Sequence, residues 1–138
     1  MNFAEASAVA VRWAPRHARS APEGTVVQVH FRDGHHAAAL RPVRIAAEPW
    51  LFVEADVADT EAISPLAALR LNDTIAVGAL IHAGGRLTLR HALRQDGLDP
   101  STLVRTLTLV AHEAARLAAR LATPRATHPA AILHWLAA

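Results

Sequence analysis

Three segments between residues 64 and 121 decide the fold of this chain. They read SPLAALRLN at 64–72, TIAVGALIHAGGRLTLRHAL at 74–93 and DPSTLVRTLTLVAHEAARLAARL at 99–121. The first predicts a short helix, because serine is a favoured N-cap and proline fits the first helical turn. The second predicts a β-hairpin, since alternating apolar runs flank Gly84-Gly85. The third predicts a long amphipathic helix.

The long helix is the clearest of these elements. Asp99 is placed to cap it, Pro100 to fill its first turn, and Thr123-Pro124 to end it. Apolar residues recur along it at alternating spacings of four and three, which places them on one side of a helix. They are Leu103, Leu107, Val110, Ala114, Leu117 and Leu121. This stripe predicts the face that packs on the rest of the domain.

The first half of the chain predicts a helix followed by a three-stranded meander. Residues 3–13 place apolar side chains on one side of a helix that ends before Pro15, and residues 14–24 read as a linker. Alternating apolar residues predict five strands along the whole chain. They span about 25–31, 36–47, 51–57, 74–82 and 86–93, with turns at Asp33-Gly34, Glu48-Pro49 and Gly84-Gly85.

These elements predict a single α+β domain with a five-stranded, mostly antiparallel sheet and helices packed on one face. Residues 1–24 form its N-terminal helix and linker, 25–122 its core, and 123–138 a short C-terminal helix at about 129–136. The length of 138 residues fits one domain, and 52% hydrophobic with 19% charged residues is typical of a folded chain.

Composition excludes several classes of function. Cysteine is absent, which rules out disulfides and thiol chemistry. The 14 basic residues are all arginine and are opposed by 12 carboxylates, so the net charge is only +2 although the isoelectric point is 10.9. This small excess, with 4% aromatic residues, argues against a nucleic-acid partner. The sequence shows no long apolar run and no secretory leader, so we expect no membrane partner and a cytoplasmic location.

No residue pattern predicts catalysis. The sequence lacks a Gly-x-Ser-x-Gly motif, and Arg116 stands where a zinc-protease motif beginning at His112 would need its second histidine. Glu54 and Asp56 share one face of a strand, which is typical of a solvated sheet face. We therefore expect a non-enzymatic protein with no catalytic residues and no cofactor.

Nine histidines leave one alternative open. His30, His35 and His36 lie around the first hairpin, and His82 and His91 lie around the second. A metal site needs three or four side chains that converge on one point. No carboxylate or cysteine stands beside these histidines at a recognised ligand spacing, so we expect no metal. A metal- or ligand-binding sensor domain that uses the hairpin histidines is the alternative to a protein-binding domain.

Residues 25–121 resemble the type III secretion chaperone-like superfamily, which includes the YbjN-domain proteins. The resemblance lies in the order of the elements: a meander, a short helix ending in Leu69-Arg70-Leu71-Asn72, a glycine-turned hairpin and a long helix. The segments 72–93 and 98–103 look most like the family. The resemblance covers about two thirds of the chain.

The resemblance implies a non-enzymatic homodimer that holds an extended, unfolded segment of an effector-like client protein. In this family the first helix often helps to form the client groove, and the dimer contact usually uses the middle helix and the strand after it. Carried over to this sequence, the implied dimer contact consists of Leu66, Leu69, Arg70, Ala76, Gly78 and Leu80. We expect the client to bind by strand addition to a sheet edge or by side chains docked in apolar grooves.

Overall fold

The computed structural model describes residues 1–122, which form three α-helices and one sheet. The helices are α1 (Phe3–Trp13), α2 (Pro65–Asn72) and α3 (Pro100–Leu121), and a short 3-10 helix spans Thr60–Ala62. The strands are β1 (Ala18–Ala21), β2 (Gly24–Phe31), β3 (Gly34–Ile45), β4 (Glu48–Asp59), β5 (Ala79–Ala83) and β6 (Arg86–Arg94). The predicted α+β class is confirmed. The C-terminal helix predicted at 129–136 lies outside the described residues.

The strands within residues 1–122 lie in the order β1-β2-β3-β4-β6-β5, and every neighbouring pair is antiparallel. The predicted count of five strands is wrong, because the supposed linker at 14–24 contains β1. The chain turns at Pro22-Glu23, so Ala21 pairs with Gly24 and the strand folds back onto β2. Four residues are too few to show the alternation by which longer strands are recognised.

The turn between β3 and β4 lies two residues before its predicted position at Glu48-Pro49. Ala46 and Ala47 form it, and both have positive φ, 52° and 67°. Glycine or asparagine usually fills such positions, because a Cβ atom strains this conformation. Two alanines therefore give no turn signal in the sequence.

β5 begins at Ala79, later than the predicted start at Thr74. The chain first turns back after α2: the Thr74 hydroxyl donates to the Leu71 carbonyl at 2.8 Å, and Gly78 has a φ of 75°. The alternating apolar pattern runs through this turn, so it gave a strand that was too long.

α1 and α3 cover one face of the sheet, and the predicted stripe on α3 is confirmed. Leu103, Leu107, Val110, Ala114 and Leu117 are fully buried, and Leu121 is nearly so. α3 lies mainly over β3 and β4, whose inward side chains include Leu40, Leu51 and Val53. α1 packs against α3, β1 and β2, while α2 packs against β5 at the opposite edge of the sheet.

Candidate functional site

The predicted dimer surface is centred on α2. The Ser64 hydroxyl oxygen caps this helix by accepting a hydrogen bond from the Ala67 N–H at 3.1 Å, and Pro65 occupies the first turn. Ala67, Ala68 and Leu71 are buried. The remaining side of α2 therefore faces away from the sheet.

That outer side carries two large apolar side chains. Leu66 is 58% exposed and Leu69 is 64% exposed, the highest values for any large apolar residue within residues 1–122. Residues three apart are neighbours on a helix surface, so the two leucines form one apolar patch. Arg70 lies beside them and is also exposed. An apolar patch with a polar border is typical of a protein contact.

The structure divides the six predicted interface residues into three groups. Leu66, Leu69, Arg70 and Ala76 are exposed, Gly78 is half-buried, and Leu80 lies in the core with 7% of its surface exposed. The first group is accessible to a partner. The Leu80 side chain packs in the hydrophobic core of the same chain. The dimer contact itself stays a prediction.

Gly78 fixes the start of β5 against β6. Its φ of 75° favours glycine, and a Cβ atom at this position would lie 2.6 Å from the Arg90 carbonyl oxygen. No side chain fits at that distance. The fold therefore requires this glycine independently of any partner.

The face of the sheet opposite α1 and α3 carries a charged cluster. Glu54 lies between Arg41 and Arg90: Arg90 Nη2 lies 2.8 Å from Glu54 Oε2, and Arg41 Nε pairs with Oε1. Both guanidinium groups lie over the Phe52 ring, Arg41 at 5.0 Å and Arg90 at 4.3 Å from its centroid. The Glu54 side chain is only 12% exposed. It lies with Asp56, whose side chain is 61% exposed, on the outward face of the sheet, and the two arginines cover most of it.

The cluster borders an open groove of about 590 Å³. Asp56 also lies there and accepts a hydrogen bond from the Thr88 hydroxyl at 3.2 Å, while Arg86 pairs with both Asp56 and Asp59. These contacts join β4 to β6, and Arg41 extends the network to β3. Ion pairs between strands explain the placement of these charged side chains, and no chemical role is needed to explain it.

A second groove, of about 720 Å³, runs between α1 and β1. Its lining includes Phe3, Ala4, Ala8 and Val11 from the helix and Ser20, Ala21 and Pro22 from the region of β1. Beside it, the hydroxyl groups of Ser7 and Thr25 bond to each other, and the Ser20 hydroxyl lies 3.1 Å from each. Ser7 and Thr25 are buried, so the three hydroxyls satisfy one another and join α1 to the sheet.

β1 is an outermost strand of the six. The His17 carbonyl accepts a hydrogen bond from the Gln28 N–H at 2.8 Å. Hydrogen-bonded pairs alternate along an antiparallel ladder. Ala18 and Ser20 therefore direct their backbone N–H and C=O groups away from β2.

The hairpin histidines do not form one ligand set. The His30 ring lies 5.5 Å from that of His35 and 4.3 Å from that of His17, measured between centroids. His36 instead donates from Nε2 to the Asp56 carbonyl at 2.6 Å. Within residues 1–122, no group of three or more histidine, aspartate or glutamate side chains is arranged to hold a metal ion.

Two carboxylates, the N-cap residue of α3 and one residue within the helix, have lowered pKa values. The Thr102 N–H, at 2.8 Å, and its hydroxyl, at 3.1 Å, donate to Asp99 and lower the pKa of this N-cap residue. Arg116 donates two hydrogen bonds to Glu113, which lower the Glu113 pKa and raise that of Arg116. Helix capping and a neighbouring ion pair explain both shifts.

Comparison with protein-family models gives no match for this sequence, and comparison with curated proteins gives none either. None of the helices in residues 1–122 is long and apolar enough to cross a membrane.

Sequence reasoning missed the cluster around Glu54 and the groove between α1 and β1. The cluster depends on strand register, which aligns Glu54 with Arg90 and Phe52 with Arg41. The groove depends on β1, which the sequence did not reveal. The one available signal was the alternation of charged residues on the outward faces of β4 and β6.

Proposed function

We propose that this protein is a non-enzymatic homodimer, a secretion chaperone-like or adaptor protein that holds an extended segment of another polypeptide. The observation that carries the proposal is the apolar patch of Leu66 and Leu69, each more than half exposed on α2. We also propose that the protein is cytoplasmic and that its partner is another protein rather than nucleic acid or a membrane.

A second copy of the chain fits the Leu66–Leu69 patch. In a two-fold dimer the same patch meets itself, so one surface on each copy suffices. Two such patches in contact remove four leucine side chains from water, and apolar burial is the main driving force of association. Arg70 lies at the border of the patch, where it stays hydrated.

An extended client fits the groove between α1 and β1. Ala18 and Ser20 direct backbone hydrogen-bonding groups outwards, as strand addition requires. The apolar side chains of Ala8 and Val11 line the same groove. A segment with apolar residues at every second position would place them against α1 while its backbone pairs with β1.

The dimer is tested by sedimentation at micromolar concentration. We expect the wild-type protein to be a dimer and the double variant Leu66→Ser, Leu69→Ser to be a folded monomer. Leu109→Ser is the matched control, because Leu109 is 47% exposed and lies on α3, whereas the patch lies on α2. This control should stay dimeric. A monomeric wild-type protein, or a dimeric double variant, would remove the interface.

The client groove is tested by fluorescence polarisation with labelled peptides in which apolar and polar residues alternate. Ala8→Asp places a charge in the exposed wall of the groove and should weaken binding at least tenfold. Ala119→Asp, on an exposed position of α3, is the control and should bind as the wild type does. Equal binding by both variants would show that the client binds elsewhere.

A further inference from the structure

The outer edge of β5 is occupied at one position by a side chain of the same chain. Asn72, the last residue of α2, accepts a hydrogen bond from the Leu80 N–H at 2.6 Å through Oδ1. Its Nδ2 group donates to the Leu80 carbonyl oxygen at 3.4 Å. A neighbouring strand would offer the same two partners, one acceptor and one donor, to a residue that faces it.

Leu80 is one of only two residues of β5 whose backbone N–H and C=O groups point away from β6. The β5–β6 hairpin closes with Ala83 opposite Arg86, across the Gly84-Gly85 turn. Hydrogen-bonded pairs alternate from there, so residues 79, 81 and 83 bond to β6. Residues 80 and 82 direct their backbone groups away from the sheet. Because the backbone groups of Leu80 already bond to Asn72, only those of His82, beside the turn, are left in β5 to begin pairing with another strand.

An asparagine suits this role because a carboxamide has both a donor and an acceptor. α2 ends at Asn72, and the turn through Thr74 brings β5 back alongside the helix terminus. Gly78 then sets the start of the strand by its close approach to β6. The turn after α2 and the close approach of Gly78 to β6 therefore hold the Asn72 side chain next to Leu80.

We propose that Asn72 closes the β5 edge to strand pairing with a second copy of this chain. Unpaired strand edges are sites where chains associate through their backbones, and proteins protect them by covering or interrupting the edge. The inference rests on the proposed homodimer for one point only: with the edge closed, the second copy is directed to the Leu66–Leu69 patch.

The test compares Asn72→Ala with Thr74→Ala. The first removes both hydrogen bonds to Leu80. The second removes a hydrogen bond in the same turn, from Thr74 to Leu71, and leaves the edge occupied. Asn72→Ser, whose side chain is too short to reach Leu80, is a second edge-opening variant if the alanine variant does not fold. Sedimentation and amide hydrogen exchange at Leu80 are measured over a range of protein concentrations.

We expect the Asn72 variant to form larger assemblies than the wild type as concentration rises, while Thr74→Ala matches the wild type. At low concentration, exchange at Leu80 should be roughly tenfold faster in the Asn72 variant, because its N–H has lost its acceptor. At high concentration exchange should slow again as strands pair.

Three results would overturn the inference. They are unchanged sedimentation of the folded Asn72 variant at the highest concentration, assembly of Thr74→Ala to the same extent, and unchanged exchange at Leu80. A monomeric wild-type protein whose Asn72 variant nevertheless assembles through β5 would disprove the homodimer and still support closure of the edge.

Discussion

The centre of the protein, where α3 crosses β3 and β4, differs sharply from the corner formed by α2 and β5. Both helices begin in the same way, with a capping side chain followed by proline. α3 buries a stripe of apolar side chains along its whole length, whereas α2 buries two alanines and Leu71 and leaves Leu66 and Leu69 exposed. Local sequence thus starts both helices, but the layer beneath each decides whether its apolar residues stabilise the fold or form a surface.

The largest expected effect separates the centre from the corner. Leu107→Ala at the fully buried centre should lower the free energy of unfolding by about 3 kcal/mol, because it removes packed atoms and leaves a cavity. Leu69→Ala at the corner should change it by less than about 0.5 kcal/mol, since that side chain is already exposed. Urea unfolding of both variants measures the difference. The measurement should be made at a concentration at which the protein is monomeric. Equal losses of unfolding free energy in the two variants would refute the contrast between the centre and the corner.

A second effect concerns the outer face of the central sheet. Glu54→Gln keeps the size of the side chain but leaves Arg41 and Arg90 without their shared carboxylate. We expect a loss of about 2 kcal/mol in urea unfolding, because Glu54 is largely buried between them. Asp59→Asn is the control: its side chain is 74% exposed, so its pair with Arg86 contributes little. A comparable loss of unfolding free energy in both variants would mean that the burial of Glu54 does not make its ion pairs more stabilising than an exposed pair.

The centre could be predicted from the sequence because its signal is long. The spacing of Leu103, Leu107 and Val110 continues over the whole of α3, and all three are buried as predicted. β1 was missed because it has only four residues. The Ala46-Ala47 turn was missed because alanine rarely adopts positive φ, so nothing in the sequence marked it.

The candidate surfaces were predicted less completely than the fold. The helical period placed Leu66 and Leu69 on α2 but could not show which leucines face the sheet. Leu80 was included in the dimer contact by the family resemblance, which does not show which way a side chain points, and the structure buries it. The hydrogen bonds of Asn72 were equally hidden, since they join residues on either side of a turn whose shape the sequence does not fix.

At the corner, the cap of α2 should have a moderate effect. Ser64→Ala removes the hydrogen bond to the Ala67 N–H and should cost about 1 kcal/mol of unfolding free energy. Ser64→Asp restores an acceptor and should recover most of that loss. Thermal or urea unfolding gives both values. If Ser64→Ala does not change the free energy of unfolding, packing against β5 alone stabilises α2. The capping residue would then mark the start of α2 without stabilising it.

The smallest expected effect distinguishes the two caps by their response to pH. Asp99 caps α3 as a carboxylate whose pKa is lowered by the Thr102 hydrogen bonds, whereas the Ser64 hydroxyl does not titrate. A folded-state pKa below the unfolded value stabilises the protein above the ordinary carboxyl range, about pH 4, and this contribution is lost as pH falls through the lowered value.

Asp99→Ser keeps a capping oxygen but removes the charge. Between pH 7 and pH 2, the melting temperature of the wild type should therefore fall further than that of this variant. The difference between the two decreases should be smaller than the decrease in melting temperature that Ser64→Ala causes at pH 7. The cost of Ser64→Ala relative to the wild type should stay nearly constant over the same range. Melting temperatures measured at several pH values test both statements. Parallel curves for the wild type and Asp99→Ser would show that the charge adds nothing to the hydrogen bonds of the cap, and the two helix starts would then be equivalent.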